Sequence, residues 1–489
     1  MKKKEPLSRR LTFGIFYLLG SSFASLLLNV ITIGFVARTL GVENFGLYSV
    51  ILSFVQLFQF LSDFGLNKTL LKFGSKDITK AQVSFGNALF LKSILIIPTI
   101  FLIMFLGLLA GYRNEQLLIL LFFAISLILD SYATVFSSIR RILGSFISIS
   151  FFRVLRTAIN LGIIYIALTI KDSVFSLALA NMLLSLVIFI VSLINTIIHL
   201  KPKVRIKLIT DFFQDSIIFS LSDFFLNIYA RISIVLLSFF SDPHSVGIFS
   251  AAIRFTKIAN LLPAQVKFAI LPTMYRFVEE VKGAKESNEN KAKRIFEILL
   301  KYMGIFAALV AIGIFLFSDP IIHIIFGNKY NKSIPLVQLF SMFIYLRFIE
   351  TPFKIFFIAM EKHKNMVLLQ GFTSFLNVVL NFALIPSFSV YGAFYSTLVS
   401  EIFFALMLIY SGAKHSIWMM KDIYTLAIKP AAAGAICFVA IMIFKEHLNI
   451  IIQVLLFIIS YTSILFLLKT FDKSDKELFL KIFLKSPAL

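Results

Sequence analysis

A single cysteine, Cys437, stands among 489 residues. A lone thiol excludes a disulfide framework, an iron–sulfur cluster and any Cys-rich zinc site. The six histidines are scattered and no H-E-x-x-H run occurs, which disfavours a zinc site. There is no Gly-Lys dipeptide, and therefore no phosphate-binding loop of the nucleotide hydrolases. Charge is also scarce. Only 15% of the residues are Asp, Glu, Lys or Arg, where a soluble globular protein carries roughly 25%. A water-soluble domain of this length could not cover its surface with so few ionic groups. Disorder is excluded by the opposite excess, since 59% of the chain is hydrophobic. Acids are outnumbered 25 to 47, which leaves a net charge of +22. The cations cluster in short segments between apolar runs, which reads as membrane topology and not as a nucleic-acid groove.

What is abundant is apolar sequence in long blocks. Fourteen runs are long enough to cross a ~30 Å hydrocarbon core, which takes about 20 helical residues. They lie near 12–37, 45–66, 84–109, 116–138, 148–170, 173–198, 211–239, 246–272, 294–318, 333–358, 364–386, 391–411, 424–444 and 449–468. The runs are too long, and alternate too little, for β-barrel strands. The expected fold is an all-α polytopic membrane protein of about fourteen transmembrane helices. The basic start MKKKEPLSRR precedes an apolar stretch longer than the core of a signal peptide, so the first run is expected to stay as an uncleaved helix. Placing both ends in the cytoplasm puts 30 basic residues on the inner side and six on the outer side. A miscounted helix would scramble that bias. The longest segment between runs, about 273–293, is basic and polar and is expected to be a cytoplasmic linker. Outer loops are short and nearly free of acids, which disfavours a membrane glycosyltransferase or polymerase.

The chain repeats itself. ENFGLYSV at 43–50 matches HSVGIFSA at 244–251 by residue class, and SFASLLLN at 22–29 matches SLSDFFLN at 220–227. Two six-helix lobes follow, 1–200 and 201–411, with two helices and a basic cytoplasmic tail in 412–489. Each lobe has an even number of spans, so the repeats run parallel, related by an axis along the membrane normal.

Ionisable residues within the runs are the candidates for function, because a charge in the hydrocarbon is expensive and turns toward a cavity or a partner. Lys92, Lys267, Lys301 and Lys429 lie near helix ends and are expected to snorkel. Arg347, Glu350 and Lys354 share one helix face and can neutralise one another. Asp130 and Glu401 are acids with no partner nearby in sequence. In the seventh run Ser216, Ser220, Asp223, Asn227 and Arg231 form one polar stripe. The first run shows the matching stripe Ser22, Ser25, Asn29 and Thr32. Such stripes serve either a substrate path or hydrogen bonding between helices. Arg254 and Lys257 lie one turn apart in the eighth run, and Arg153 and Arg156 one turn apart in the fifth. The surplus is positive, so an anionic cargo fits better than a cationic drug. A pyrophosphate offers several oxygens that arginine can clamp. Asp223 is expected to balance a cation, Arg231 or one on the adjacent helix, or else to bind a coupling ion. No cofactor or metal is expected.

Two hairpins carry a resemblance. GFVARTLGVENFGLYSVILSF at 34–54 resembles the helix 1–2 hairpin of polysaccharide exporters, and NVVLNFALIPSFSVYGAFYST at 377–397 resembles their helix 11–12 hairpin. With fourteen runs in two parallel lobes, the chain resembles the multidrug/oligosaccharidyl-lipid/polysaccharide (MOP) exporter superfamily, in its O-antigen and capsule repeat-unit flippase branch. The resemblance implies a non-enzymatic flippase in a bacterial cytoplasmic membrane. Its cargo would be an undecaprenyl-pyrophosphate-linked oligosaccharide, with a polysaccharide polymerase and glycosyltransferases as partners. Arg231, Arg254, Lys257, Arg153, Arg156 and Asn227 would meet the substrate. The rival readings are a lipid II flippase and a cation-coupled multidrug antiporter. The lipid II family has cavity arginines on helices 1, 2 and 8, of which only Arg254 on helix 8 is matched here.

Overall fold

The computed structural model describes residues 7–74, 78–267, 270–271, 274–275, 287–360, 363–413, 426, 428–444, 449–468, 470–471 and 475. Most of the 273–293 linker and nearly all of the C-terminal tail lie outside the described residues.

The described chain is helical throughout. Its helices are α1 (Leu7–Leu57), α2 (Gln59–Asp63), α3 (Leu66–Gly74), α4 (Ile78–Leu109), α5 (Glu115–Ile142), α6 (Phe146–Ile170), α7 (Val174–His199), α8 (Ile209–Phe240), α9 (Pro243–Ala259), α10 (Ser287–Leu316), α11 (Ser318–Ile325), α12 (Ile334–Ala359), α13 (His363–Ala413), α14 (Lys429–Phe444) and α15 (Ile450–Leu467). Helix is what lipid demands, because it satisfies every backbone group within one segment. Ten of these segments are long and apolar enough to cross a membrane. Two of the ten, α1 and α13, have 51 residues each, about twice the length of one crossing. Each bends midway, α1 at Gly41 (φ 72°) and α13 at Ser389 (φ 48°), and so supplies two spans. Adding α12, which carries three charged residues, and the shorter α14 gives the fourteen helices expected from the runs. The molecule is a multi-pass membrane protein.

Two compact units emerge from the packing. The first comprises residues 1–251, 324–330 and 370–397; the second comprises 252–323, 331–369 and 398–489. In the first unit Leu66, Leu70, Phe85, Phe136, Ile139 and Phe212 form a buried cluster joining α3, α4, α5 and α8. In the second, Phe296 and Leu300 of α10 pack on Phe353 and Phe356 of α12 and on Phe404 and Leu408 of α13. Ile97 and Phe101 on α4 are open to the outside, as a lipid-facing surface requires.

The first unit also shows how the repeated segments meet. A Cβ on Gly46 would fall 2.1 Å from the Pro243 carbonyl oxygen, and one on Gly247 would fall 2.1 Å from that of Val42. Gly46 and Gly247 are equivalent positions of the repeat, as are Val42 and Pro243. The contact is therefore reciprocal, the pattern a two-fold axis imposes. Only glycine allows two backbones this close. At the same end of the unit, the Arg38 guanidinium donates to the carbonyls of Ile324 (2.6 Å) and Ile325 (3.2 Å), and the Tyr330 hydroxyl donates to Ala37 O.

Candidate functional site

The second crossing of the chain is broken before it ends. Phe64 (φ 45°) and Gly65 (φ 72°) take left-handed backbone between α2 and α3. The break lets α3 lie directly on α8. A Cβ on Gly65 would fall 2.4 Å from the Ser216 carbonyl oxygen, so the two backbones approach as closely as glycine permits. Ser216 Oγ donates to Thr69 Oγ1 at 2.9 Å. The Phe64 and Phe213 rings stack with centroids 4.9 Å apart, and Phe60 meets Phe224 at 4.8 Å.

Charges line the same seam. Lys68 Nζ lies 2.6 Å from Asp223 Oδ1, and Lys72 Nζ lies 3.4 Å from Asp215 Oδ2. All four side chains are partly open, Lys68 at 44% and Asp223 at 24%. Pairs this exposed contribute about 0–1 kcal/mol each. A third pair close by is of another kind. Lys92 is 1% exposed, and its ammonium reaches Asp63 Oδ1 (2.8 Å), the Ser131 carbonyl (2.8 Å) and the Ser131 hydroxyl. Asn67 donates to the same Asp63 oxygen and to Thr134 Oγ1. A buried cation satisfied by three acceptors is locked in place, and removing its acid would cost about 3–5 kcal/mol.

These contacts correct several expectations. The bridge considered between Asp223 and Arg231 is not the one formed, since Asp223 takes Lys68 from α3. Two turns of helix separate Asp223 from Arg231, whereas α3 lies alongside. Lys92 does not snorkel, because Asp63 and Ser131 meet it inside the bundle. Lys301 does not snorkel either: it is buried and pairs with Asp475. Asp130 has a partner after all, as Arg156 Nη2 contacts both its oxygens at 2.6 Å. The α12 triad is split. Lys354 bonds Glu350, while Arg347 bonds Glu401 across to α13.

The remaining candidates fall as follows. Arg153 on α6 donates to Ser22 on α1, which joins it to the polar stripe of the first helix. Asn227 spends its amide on the Asp223 carbonyl at 2.8 Å. Arg231 is half-buried on α8 in the first unit. Arg254, half-buried, and Lys257, exposed, lie on α9 in the second unit. The polar stripe of α8 faces protein at its first part, with Ser216 and Ser220 buried. Lys68, Lys72, Asp63 and Asp215 were not among the residues singled out from sequence. The available signal was the spacing: Lys68 and Lys72 are one turn apart just after Gly65, and Asp215 and Asp223 are two turns apart on one face of α8. Among the described residues no group of three or more His, Cys, Asp or Glu could hold a metal ion.

Comparison with known proteins agrees with this architecture. Solved structures share the fold, among them the following three. The "Lipid II flippase MurJ, inward closed conformation" superposes with a TM-score of 0.74 at 17% identity, over 95% of this chain and 99% of that one. The inward-facing conformation of a multidrug resistance MATE family transporter of the MOP superfamily gives 0.62 at 16% identity, over 80% and 94%. A MOP superfamily transporter from Pyrococcus furiosus, reported with a binding pocket of reverse polarity, gives 0.56 at 15% identity, over 82% and 95%. Among curated proteins none matches the chain. The family described as "Polysaccharide biosynthesis protein" matches residues 11–278. That match covers more than half the chain and includes the first hairpin, both copies of the repeat and the α3–α8 seam. The resemblance to polysaccharide exporters is thereby borne out over the stretch that holds its first hairpin, and the chain belongs to the polysaccharide biosynthesis protein family.

Proposed function

We propose that the protein is a flippase that moves an oligosaccharide linked to undecaprenyl pyrophosphate from the cytoplasmic to the outer leaflet of a bacterial membrane. The observation that carries this reading is the family match over residues 11–278. Supporting it, partly open cations recur on α3 and along the apolar spans: Lys68 and Lys72 on α3, Arg153 and Arg156 on α6, Arg231 on α8, and Arg254 and Lys257 on α9. Such cations suit a pyrophosphate, which accepts several charge-assisted hydrogen bonds. Alternating access would come from rocking of the repeat-related lobes 1–200 and 201–411, with 412–489 appended. Asp223 balances charge in this scheme by holding Lys68. Glycosyltransferases and a polymerase would act before and after the transfer.

Deletion of the gene tests the reading. Surface polysaccharide should be lost, and its lipid-linked repeat unit should accumulate where only cytoplasmic reagents reach it. Arg254→Gln should reproduce the loss with protein level nearly unchanged. Normal surface polysaccharide in the deletion strain would refute the proposal. Rescue of growth in cells depleted of their lipid II flippase would transfer the assignment to that rival.

A further inference from the structure

We propose that Lys68 and Lys72 form a receiving site for a diphosphate headgroup, and that Asp223 and Asp215 occupy it as an internal stand-in until the headgroup arrives. The proposal rests on the flippase reading and names residues for its first contact with cargo.

Three observations support it. First, the two cations are one helical turn apart on α3, with Cβ atoms about 5–6 Å from one another. Each holds one carboxylate from the same face of α8. The two acids come from positions two turns apart on α8, one to each lysine, whereas a diphosphate could offer oxygens to both lysines from one molecule. Second, these pairs are open, whereas the neighbouring Lys92–Asp63 pair is shut. Lys72 is 48% exposed and Asp215 38%, against 1% for Lys92. An anion from solution or from the membrane surface can reach Lys68 and Lys72 without unpacking the core. It cannot reach Lys92. Third, the acids carry a mechanical consequence. Releasing them removes two polar ties between α3 and α8 and leaves the Thr69–Ser216 bond, the aromatic contacts, the Gly65 close approach and the buried Leu66, Leu70 and Phe212 packing. Binding at the lysines thus competes directly with closure of this seam. In the other copy of the repeat Ser25 stands in the position equivalent to Asp223, so the acid that holds Lys68 is not repeated.

The test uses the full-length protein in nanodiscs, with binding read by native mass spectrometry. Probes are a polyprenyl diphosphate, inorganic diphosphate, the neutral polyprenol and phosphatidylglycerol. Lys68→Gln with Lys72→Gln should weaken polyprenyl diphosphate about tenfold or more. Asp215→Asn with Asp223→Asn should tighten it about threefold to tenfold, because the internal competitor is gone. Asp211→Asn removes an exposed acid from the first turn of α8 without touching the seam, and should change nothing. A purely structural role for the acids predicts loss, never a gain. As a second reading, Thr69→Cys with Ser216→Cys in a Cys437→Ser background should form a disulfide, and the diphosphate lipid should suppress it. Suppression by inorganic diphosphate alone would show that the headgroup suffices. Equal suppression by phosphatidylglycerol would overturn the proposal in favour of a general membrane-charge effect. So would unchanged binding in the lysine variant. In that last case the flippase reading would stand on wild-type binding, while this site would fall. If the wild-type protein bound no diphosphate lipid, both would fall.

Discussion

Lys92 and Lys68 each hold an aspartate, yet they should respond to mutation very differently. Lys92 is buried with Asp63 and Ser131, so Asp63→Asn leaves a cation inside the bundle with part of its charge uncompensated. The expected cost is about 3–5 kcal/mol, read as a lower melting temperature and poor yield in detergent. Replacing both partners by apolar residues of similar volume should recover most of that loss, because the desolvation cost goes with the charges. Asp223→Asn should cost no more than about 1 kcal/mol, since its pair with Lys68 is open to water. A large stability loss in Asp223→Asn would mean that this acid is a structural counter-charge. None of these pairs was visible in the sequence. Lys92 and Asp223 themselves were, as costly charges inside apolar runs, whereas Asp63 and Lys68 were not; the partners lie 29 positions away for Lys92 and 155 for Lys68. Local spacing can report an i, i+4 pair such as Glu350–Lys354 and is blind to a partner brought in by packing. Lys68 was further hidden because it counted as a loop cation; only the left-handed backbone at Phe64 and Gly65 reveals that the chain re-enters a helix there.

At the scale of elements, glycine decides how the repeated hairpins meet. Gly41 and Gly46 are five residues apart and serve different purposes. Gly41 takes φ 72° and ψ 177°, a region essentially confined to glycine, with open space around it, so Gly41→Ala should cost about 1–3 kcal/mol through backbone conformation alone. Gly46 is helical, and its constraint is the Pro243 carbonyl 2.1 Å from where a Cβ would lie. Gly46→Val must push α9 away and should cost about 1–3 kcal/mol. Gly247→Val, at the equivalent position, should behave alike. The check is a comparison of melting temperatures. Two-fold equivalence requires the Gly46 and Gly247 variants to fall together, and a double variant to lose less than the sum, since both disturb one interface. The repeat was legible because residue class is conserved between copies within this one chain: ENFGLYSV and HSVGIFSA place a glycine at the same register. That the two glycines touch was not legible, because a sequence match gives equivalence without proximity. The two long helices were likewise split correctly by hydropathy, since the bends at Gly41 and Ser389 fall where the apolar runs pause.

For the whole molecule, the remaining question is which way the bundle faces. The fold itself follows from hydropathy, because lipid leaves the backbone no alternative to helix. Orientation depends on a weaker term, the asymmetry of basic residues, which acts during insertion and leaves no mark on internal packing. Fourteen crossings would put both ends on one side, and from the bias of 30 cations to six we propose that this side is the cytoplasm. On that orientation the α3–α8 seam would lie toward the cytoplasm and the Gly46–Gly247 contact toward the outside. This is the arrangement the proposed headgroup site requires, since its lysines must meet a lipid made inside the cell. Two exposed positions on opposite faces can decide it. Lys203 lies between α7 and α8, and Lys171 lies between α6 and α7. In a Cys437→Ser background, Lys171→Cys should react with an impermeant thiol reagent in intact cells. Lys203→Cys should react only after the membrane is opened. The backbone of Lys203 donates to Gln82 at 3.0 Å, so the segment is held in place while its side chain stays accessible. Reaction of Lys203→Cys from outside would invert the bundle and put Lys68 and Lys72 on the side where the cargo is released. The seam would then have to act in release, and the assignment of these lysines to first contact would be wrong even if they bind diphosphate.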